Sequence, residues 1–354
     1  MKLPLSESYR DLLEESSNRI LILDGGFGTM VQRLKLTERD FRGERFLDFP
    51  KELLGNNDVL PLTCPDRIEW IHHEYLSAGA DIIETDSFGA SPIGQREYGL
   101  SEFAYEMAKA SAQIACRAVE SKAREDRESG AIPVRRFVAG SIGPTSKTAS
   151  ISPDVSDPAA RAVTFRELVE SYRVSVNGLL DGGADILLVE TVFDTLNAKA
   201  ALYAIREICD ERGKMFPVMV SGTITDASGR ILSGQTAKAF FHSLSSFPLF
   251  SIGFNCALGA KDMIPHLRDI QSAPFRVSVH PNAGLPNQFG GYDDTPEMMG
   301  EWVSRYADEN LVNIVGGCCG TTPAHIRHFA EILRGRAPHK VPGKSGRILL
   351  SGLE

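Results

Sequence analysis

Three of the six cysteines in this 354-residue chain lie among glycines, at the ends of predicted strands. Cys256 follows the run Gly253-Phe254-Asn255, and Cys318 and Cys319 occupy the centre of Gly316-Gly317-Cys318-Cys319-Gly320. Glycine lets the chain turn after a strand, so two neighbouring thiols that would otherwise point to opposite faces can reach one centre. Three thiolates with a free fourth position are typical of a catalytic Zn²⁺ site, whereas a structural site has four protein ligands. The sequence therefore predicts a metal site on these three residues; a vicinal disulfide and unrelated buried thiols are the alternatives.

The remaining cysteines and the histidines show no pattern of this kind. Cys64, Cys116 and Cys209 are expected to be small packing residues, since the last two occupy apolar positions of predicted helices. The eight histidines contain no HExxH arrangement, and we expect them at the surface or at helix ends. No Gly-x-Ser-x-Gly motif occurs either, so a serine hydrolase has no support.

The composition excludes other classes of function. With 38 Lys and Arg against 46 Asp and Glu, the net charge is -8, so the chain has no net basic field to attract a nucleic acid. The N-terminal segment 1–19 carries charges where a secretion signal needs an apolar stretch. No run approaches the roughly 18 apolar residues of a membrane helix. We therefore expect a cytoplasmic protein with neither a nucleic-acid partner nor a membrane partner.

Short β-branched runs alternate with helical patterns along the chain, which predicts parallel βαβ units. The length suits about 2.4 domains of roughly 150 residues each, or a single (β/α)₈ barrel that carries an extension. Eight strands favour the barrel, because open doubly wound sheets commonly stop at about five or six. The predicted strands cover residues 20–23, 81–85, 137–142, 185–191, 218–223, 249–255, 276–280 and 312–315.

We predict an α/β fold in three parts. A helical extension over 1–19 precedes a (β/α)₈ TIM barrel over 20–335, and an exit linker follows over 336–354. Loop insertions enlarge the barrel. The segment 37–61 has no strong hydrophobic period and is predicted to be a long loop insertion of this kind.

Several longer motifs are distributed over the chain. They are Leu23-Asp24-Gly25-Gly26-Phe27-Gly28-Thr29-Met30, Phe41-Arg42-Gly43-Glu44-Arg45-Phe46, Gly55-Asn56-Asn57-Asp58, Ile151-Ser152-Pro153-Asp154-Val155, Glu190-Thr191-Val192-Phe193-Asp194-Thr195, Pro281-Asn282-Ala283-Gly284-Leu285-Pro286 and Gly316-Gly317-Cys318-Cys319-Gly320-Thr321-Thr322-Pro323. Together they resemble the N-terminal homocysteine-binding module of cobalamin-dependent methionine synthases, over nearly the whole chain. The Gly-Gly-Cys-Cys-Gly motif alone indicates only the wider homocysteine S-methyltransferase superfamily. The motifs that lie in loop insertions, such as Phe41-Arg42-Gly43-Glu44-Arg45-Phe46, favour the cobalamin-dependent branch.

The resemblance implies a zinc-dependent homocysteine S-methyltransferase module with Zn²⁺ on Cys256, Cys318 and Cys319. Homocysteine would be activated as a zinc thiolate and would take the methyl group of methylcobalamin to give methionine. A separate cobalamin-binding module or protein would present that cofactor, and methyltetrahydrofolate, through a folate-binding module, would be the ultimate methyl donor. The linker 336–354 resembles the approach to that folate-binding module, which is missing here. The alternatives are a homocysteine methyltransferase that uses betaine or S-methylmethionine directly, and a zinc- and homocysteine-binding module without turnover.

An amino-acid substrate needs partners for its charged groups at the strand ends. Asp24 and Glu190 are the candidates for its ammonium group, unless they serve as structural caps. The backbone N–H groups near Gly25 and Gly26 are candidates for its carboxylate, since glycine allows close approach. Asn282 is either an oxygen ligand of zinc when substrate is absent or a residue that fixes its loop. The sequence departs from the family pattern at Asp86, where we expect Asn, and at Ser146-Lys147 in place of an Asn-Arg type pair.

Overall fold

Eight parallel strands alternate with helices in the computed structural model, which describes residues 3–225, 228–288, 290–343, 346 and 348–354. This confirms the predicted α/β TIM barrel. The strands are β1 (Leu21–Ile22), β2 (Ile82–Glu84), β3 (Phe137–Ile142), β4 (Ile186–Val192), β5 (Val218–Gly222), β6 (Ser251–Gly259), β7 (Arg276–Asn282) and β8 (Ile314–Val315).

The strands pair in chain order around the barrel, from β2 through β7 to β8, and β8 pairs with β1. The ring closes where Leu23 forms a parallel bridge with Ile82 and the Asp24 N–H donates to the Ile82 carbonyl at 3.0 Å. Because all the strands run parallel, their carboxyl ends meet at one end of the barrel. Residues that follow the strands are thereby brought into one neighbourhood.

Helices cover the outside of the barrel, and several of them pack one face against the strands. Helix α7 (Phe165–Asp181) begins at the capping box of Thr164 and Glu167, and α12 (Pro323–Leu333) begins at Thr322 followed by Pro323. The helices are α1 (Glu7–Asn18), α2 (Phe27–Arg33), α3 (Glu38–Arg42), α4 (Leu60–Thr63), α5 (Pro65–Ser77), α6 (Ala104–Glu128), α7 (Phe165–Asp181), α8 (Thr195–Arg212), α9 (Ala237–Leu244), α10 (Ala260–Ile270), α11 (Pro296–Asp308) and α12 (Pro323–Leu333).

Helix α1 closes the amino end of the barrel. Its buried Tyr9 and Leu12 join the apolar cluster inside the barrel, where the Tyr9 ring packs edge-on against Phe250 at 5.9 Å. The guanidinium of Arg276 donates to the Leu13 carbonyl at 3.1 Å and so fixes the helix to β7. With this end filled, the carboxyl ends of the strands surround the open end.

The insertion at 37–61 differs from the predicted loop, because it contains α3, a 3₁₀ turn at Asn57–Val59 and the start of α4. Helix α3 forms on a capping box in which the Thr37 N–H donates to Asp40 at 2.7 Å. A helix of five residues is too short to produce a hydrophobic period, so the pattern did not reveal it.

The segment after α12 contains no helix or strand among its described residues, and Lys344, Ser345 and Arg347 lie outside them. Its last residues return to the barrel, where the Thr236 N–H donates to the Leu353 carbonyl at 2.9 Å. Across the described part of the chain, no helix combines the length and apolar character needed to span a membrane.

Candidate active site

A cavity of about 510 Å³ opens at the carboxyl ends of the strands, opposite α1. Its walls combine glycines, carboxyl groups and all three predicted metal-site cysteines. The lining residues used below are Gly25, Gly26, Gly28, Asp58, Glu84, Asp86, Ser141, Glu190, Cys256, His280, Tyr292, Cys318 and Cys319.

The three cysteine side chains converge on one point of this cavity. The Sγ atoms of Cys256 and Cys319 are 3.8 Å apart, those of Cys318 and Cys319 are 4.0 Å apart, and all three lie within 4.8 Å of one another. All three are free thiols, so the vicinal disulfide does not form. Three soft sulfur donors at this spacing suit Zn²⁺.

Backbone geometry turns these cysteines toward each other. Cys256 lies in an irregular stretch of β6 between Asn255 and Gly259, and both it and Ala257 have positive φ, at 60° and 59°. Such values are uncommon outside glycine and are maintained here by the surrounding contacts. Cys318 and Cys319 follow the end of β8, as the flanking glycines predict.

The turn that carries Cys318 and Cys319 is held from three sides. The Cys318 N–H donates to the Pro281 carbonyl at 2.9 Å, and the Cys319 N–H donates to Asn282 Oδ1 at 3.1 Å. The Gly320 N–H donates to Thr29 Oγ1 at 2.9 Å. Asn282 therefore holds the cysteine turn through its side-chain oxygen.

The close sulfurs share protons unequally. Hydrogen bonds from Cys256 and Cys318 lower the pKa of Cys319 to about 3. Hydrogen bonds with Cys256 and Cys319, together with burial, raise the pKa of Cys318 well above its usual value. The cluster thus stabilises a thiolate at Cys319, and thiolates are the form in which cysteine binds metals.

Three carboxyl groups lie close together here: Glu84 and Glu190 line the cavity, and the buried Asp24 lies beside them. Asp24 follows β1, Glu84 ends β2 and Glu190 lies near the end of β4. Burial raises the pKa of Glu190 to about 7 and raises the pKa values of Asp24 and Glu84 well above normal. Carboxyl groups this close together in a buried site favour a positively charged guest, because a cation offsets both their mutual repulsion and their desolvation.

Hydrogen bonds satisfy only part of this carboxyl cluster. The Glu84 N–H donates to Asp24 Oδ2 at 2.9 Å, and the Ser141 hydroxyl donates to Glu190. Asp24 Oδ1 is buried and has no hydrogen-bond partner within the described residues. Unpaired buried polar atoms are rare in proteins, so this oxygen is a candidate acceptor for a donor from a ligand.

Glu84 and His280 are among the polar cavity residues that were not predicted as site residues. Glu84 ends its strand as Glu190 does, and the repeated Gly-Ala-Asp-Ile runs that precede the two glutamates carry the signal that could have identified it. His280 lies in β7 with Nδ1 3.7 Å from the Glu84 carboxylate. Burial lowers the pKa of His280 to about 3, so it remains neutral and does not compensate the carboxyl charge.

The expectation that all histidines lie at the surface or at helix ends is wrong. His72 is fully buried in the middle of α5, and His280 is buried inside the barrel. Of the three cysteines expected to pack, Cys209 is buried, whereas Cys64 and Cys116 are only partly buried against the core.

The two predicted glycines lie beside the cysteine turn. The Gly26 N–H donates to Thr321 Oγ1 at 2.9 Å, so this amide is already engaged and does not face a substrate. The Gly25 N–H makes no hydrogen bond in the described part of the chain, which leaves it as the candidate carboxylate donor. Tyr75 supports this loop through a hydrogen bond from its hydroxyl to the Gly26 carbonyl at 3.1 Å.

Asp86, the position that departs from the family pattern, lies on another wall of the cavity. It is buried, and its Oδ2 has no partner among the described residues. Burial and the nearby Asp58 raise its pKa well above normal. Asp58 accepts hydrogen bonds from the Gly89 N–H and from Gln95, and burial raises its pKa to about 6.

The chain matches the family model of homocysteine S-methyltransferases over residues 21–333. Solved structures with a similar fold include those of the homocysteine methyltransferase MmuM from Escherichia coli. Its oxidized form has a TM-score of 0.70 and 21% identity, covering 92% of this chain and 99% of that chain. Its metallated form, at 22% identity, has a TM-score of 0.69 over the same shares of both chains. These identities support likeness of fold alone.

Proposed function

The chain belongs to the homocysteine S-methyltransferase family, and we propose that it methylates homocysteine at a zinc ion held by Cys256, Cys318 and Cys319. The observation that carries this proposal is the convergence of three free sulfurs within 4.8 Å, in a cavity that Glu84 and Glu190 also line and beside which Asp24 is buried. The cysteine cluster suits the thiol end of the substrate, and the carboxyl groups suit its ammonium end.

The cysteines supply the sulfur end of this arrangement. A free thiol has a pKa of about 8.5 and is mostly protonated at neutral pH, whereas the nucleophile is the thiolate. When bound, zinc would supply the positive charge that keeps the homocysteine sulfur deprotonated while leaving it nucleophilic. The three cysteine ligands leave a fourth position free for that sulfur.

The carboxyl groups position the other end of the substrate. Asp24 and Glu190 would accept hydrogen bonds from the ammonium group, and Glu84 would add its negative charge. Among the residues that the structure describes, Asp24 Oδ1 has no hydrogen-bond partner. The Gly25 N–H would donate to the substrate carboxylate. Holding both charged groups at the β1 and β4 ends would direct the substrate sulfur toward the cysteines.

For the methyl donor we propose methylcobalamin, presented by a cobalamin-binding module or protein and regenerated ultimately from methyltetrahydrofolate. The support is the resemblance of the insertion motifs, such as Phe41-Arg42-Gly43-Glu44-Arg45-Phe46, to the cobalamin-dependent branch. The cavity lies at the open end of the barrel, so a separate carrier can approach it.

Zinc analysis tests the metal assignment. We expect one zinc per purified chain, loss of most of it in Cys318→Ala, and full retention in the matched control Cys116→Ala, whose thiol lies on α6. A Cys318→Ala protein with undiminished zinc would refute the ligand set.

Methionine formation tests the reaction and its donor. The chain is incubated with homocysteine and, in separate reactions, with methylcobalamin, betaine or S-methylmethionine. We expect product with methylcobalamin. Product with betaine or S-methylmethionine alone would instead identify a direct donor, and homocysteine binding without product from any donor would identify a binding module.

A further inference from the structure

Thr191 and Asn255 are joined by two hydrogen bonds that the proposed reaction does not use. The Thr191 N–H donates to Asn255 Oδ1 at 3.0 Å, and Asn255 Nδ2 donates to Thr191 Oγ1 at 2.8 Å. A backbone N–H can only donate, so it fixes the amide oxygen of Asn255 toward itself and leaves the amide nitrogen to donate to the hydroxyl. Asn255 therefore holds both the backbone and the side chain of Thr191.

This pair connects two strands that are not neighbours in the sheet, since β5 lies between β4 and β6. The pairing of β4 with β5 shifts register between Val189 and Val192, and the pairing of β6 with β7 shifts between Asn255 and Gly259. The regular ladder of backbone hydrogen bonds is thus interrupted at both strand ends. There the Thr191–Asn255 pair supplies a direct tie across the open end of the barrel.

The backbone at both ends of this tie has a conformation that few residues adopt. Thr191 has a φ of 53°, and Cys256, the residue after Asn255, has a φ of 60°. A positive φ is an outlier for a β-branched residue such as threonine, and it persists only where surrounding contacts determine it. Asn255 is fully buried, so water does not compete for its two bonds. The tie therefore stabilises the unusual backbone at Thr191.

The same tie joins the two ends of the proposed substrate site. Thr191, which lines the cavity, directly follows Glu190, the proposed partner of the substrate ammonium group. Asn255 directly precedes Cys256, one of the proposed zinc ligands. The two bonds therefore fix the separation between the ammonium end and the sulfur end of the site. Cysteine carries the same charged groups and thiol as homocysteine but is one methylene group shorter, so a fixed separation suits only one of the two.

We propose that Thr191 and Asn255 are positioning residues that set this separation to the length of homocysteine and so select against cysteine. The inference rests on the proposed function, since it requires a sulfur site at the cysteines and an ammonium site at Glu190. A missing methylene group in a binding pocket is worth about 10- to 200-fold in discrimination. Cysteine bound through its thiol would leave Glu190 without the ammonium group, and loosening the tie would let the two ends approach each other.

The ratio of the affinities for homocysteine and cysteine tests this proposal, because a general loss of stability does not change the ratio. Calorimetric titrations compare zinc-loaded wild type, Thr191→Val, Thr191→Ser and the matched control Thr63→Val, which lies at the end of α4. Valine keeps the branched shape and the backbone bond but cannot accept from Asn255, whereas serine can. We expect homocysteine to be preferred about 100-fold in wild type, Thr191→Ser and the control, and about tenfold in Thr191→Val.

Asn255→Ala removes both bonds, and we expect its preference for homocysteine to fall below that of Thr191→Val while its zinc content matches wild type. Equal preferences in Thr191→Val and wild type would overturn the inference. So would a loss of preference in Thr191→Ser as large as that in Thr191→Val, because the hydroxyl would then play no part. Wild type that binds both amino acids equally would overturn the inference alone, whereas wild type that binds neither would overturn the proposed function as well.

Discussion

Gly26 lies so close to Cys318 that a β-carbon built on it would be 2.5 Å from the Cys318 carbonyl oxygen. The contact joins the loop after β1 to the turn after β8. It places a residue predicted for substrate binding directly behind a predicted metal ligand. The Gly317 N–H, which donates to the Asp24 carbonyl at 2.9 Å, reinforces the same junction.

Gly26→Ala should weaken metal binding, because the backbone at Cys318 must move to admit the new methyl group. Gly28→Ala is the matched control, since a β-carbon there would meet nothing closer than Asn57 Nδ2 at 3.8 Å. We expect at least about tenfold lower zinc affinity for the first variant and no change for the second. Competition with a zinc chelator gives both affinities, and equal values would contradict the proposed strain.

Glu190→Gln should weaken homocysteine binding without loss of zinc. The amide retains the shape of the side chain but offers no negative charge to the substrate ammonium, and we expect about tenfold weaker binding or more. Glu170→Gln, on the exposed part of α7, is the control. Calorimetric titration with homocysteine, with zinc content measured on the same samples, separates this result from a metal defect; unchanged affinity would exclude Glu190 from the substrate site.

Asp86→Asn should stabilise the protein more at high pH than at low pH. Burial, with Asp58 nearby, raises the folded-state pKa of Asp86 well above its ordinary value of 3.8, so the unfolded chain releases this proton first as pH rises. The carboxyl's contribution therefore makes folding less favourable as pH rises from about 4 until its folded pKa is passed. Asn has no such proton. We expect an advantage of about 1 kcal/mol at pH 8 that shrinks toward pH 4, measured by urea unfolding. An advantage independent of pH would contradict a raised pKa.

Removal of the metal should expose the cysteine cluster to oxidation. Cys256 and Cys319, with sulfurs 3.8 Å apart, would then form a disulfide with diamide, which accepts the two hydrogens. We expect the metal-free chain to lose two of its six thiols and the zinc-loaded chain to lose none, counted with a thiol reagent after denaturation. Peptide mapping should locate the cross-link; one that included Cys116 would contradict this prediction.

The barrel could be predicted from sequence because its strands are apolar, β-branched and regularly separated by helical patterns. β3 was predicted with its observed bounds, whereas β1 and β8 pair over only two residues each, because their ends turn into the site loops. Hydrophobic patterns report burial, not hydrogen-bond pairing. They therefore overestimate the length of a short strand whose flanking residues are also buried.

The candidate site was predictable where local sequence determines geometry. The glycines around Cys318 indicate a turn, and Asp24 and Glu190 follow or end recognisable strands. Tyr292 and His280 were missed for different reasons. Tyr292 lines the cavity only through the path of a long loop. Both faces of β7 are buried, so alternation does not say that His280 points into the barrel.

Cys256 and Cys319, which meet at the candidate metal centre, are 63 residues apart in the chain. Two of the three sulfurs follow the eighth strand, so a ribosome must synthesise nearly the whole barrel before the donor set exists. Metal uptake during translation would be confined to chains in which β6, β7 and β8 are already aligned. Zinc content would therefore report the fraction of newly made molecules that have completed assembly.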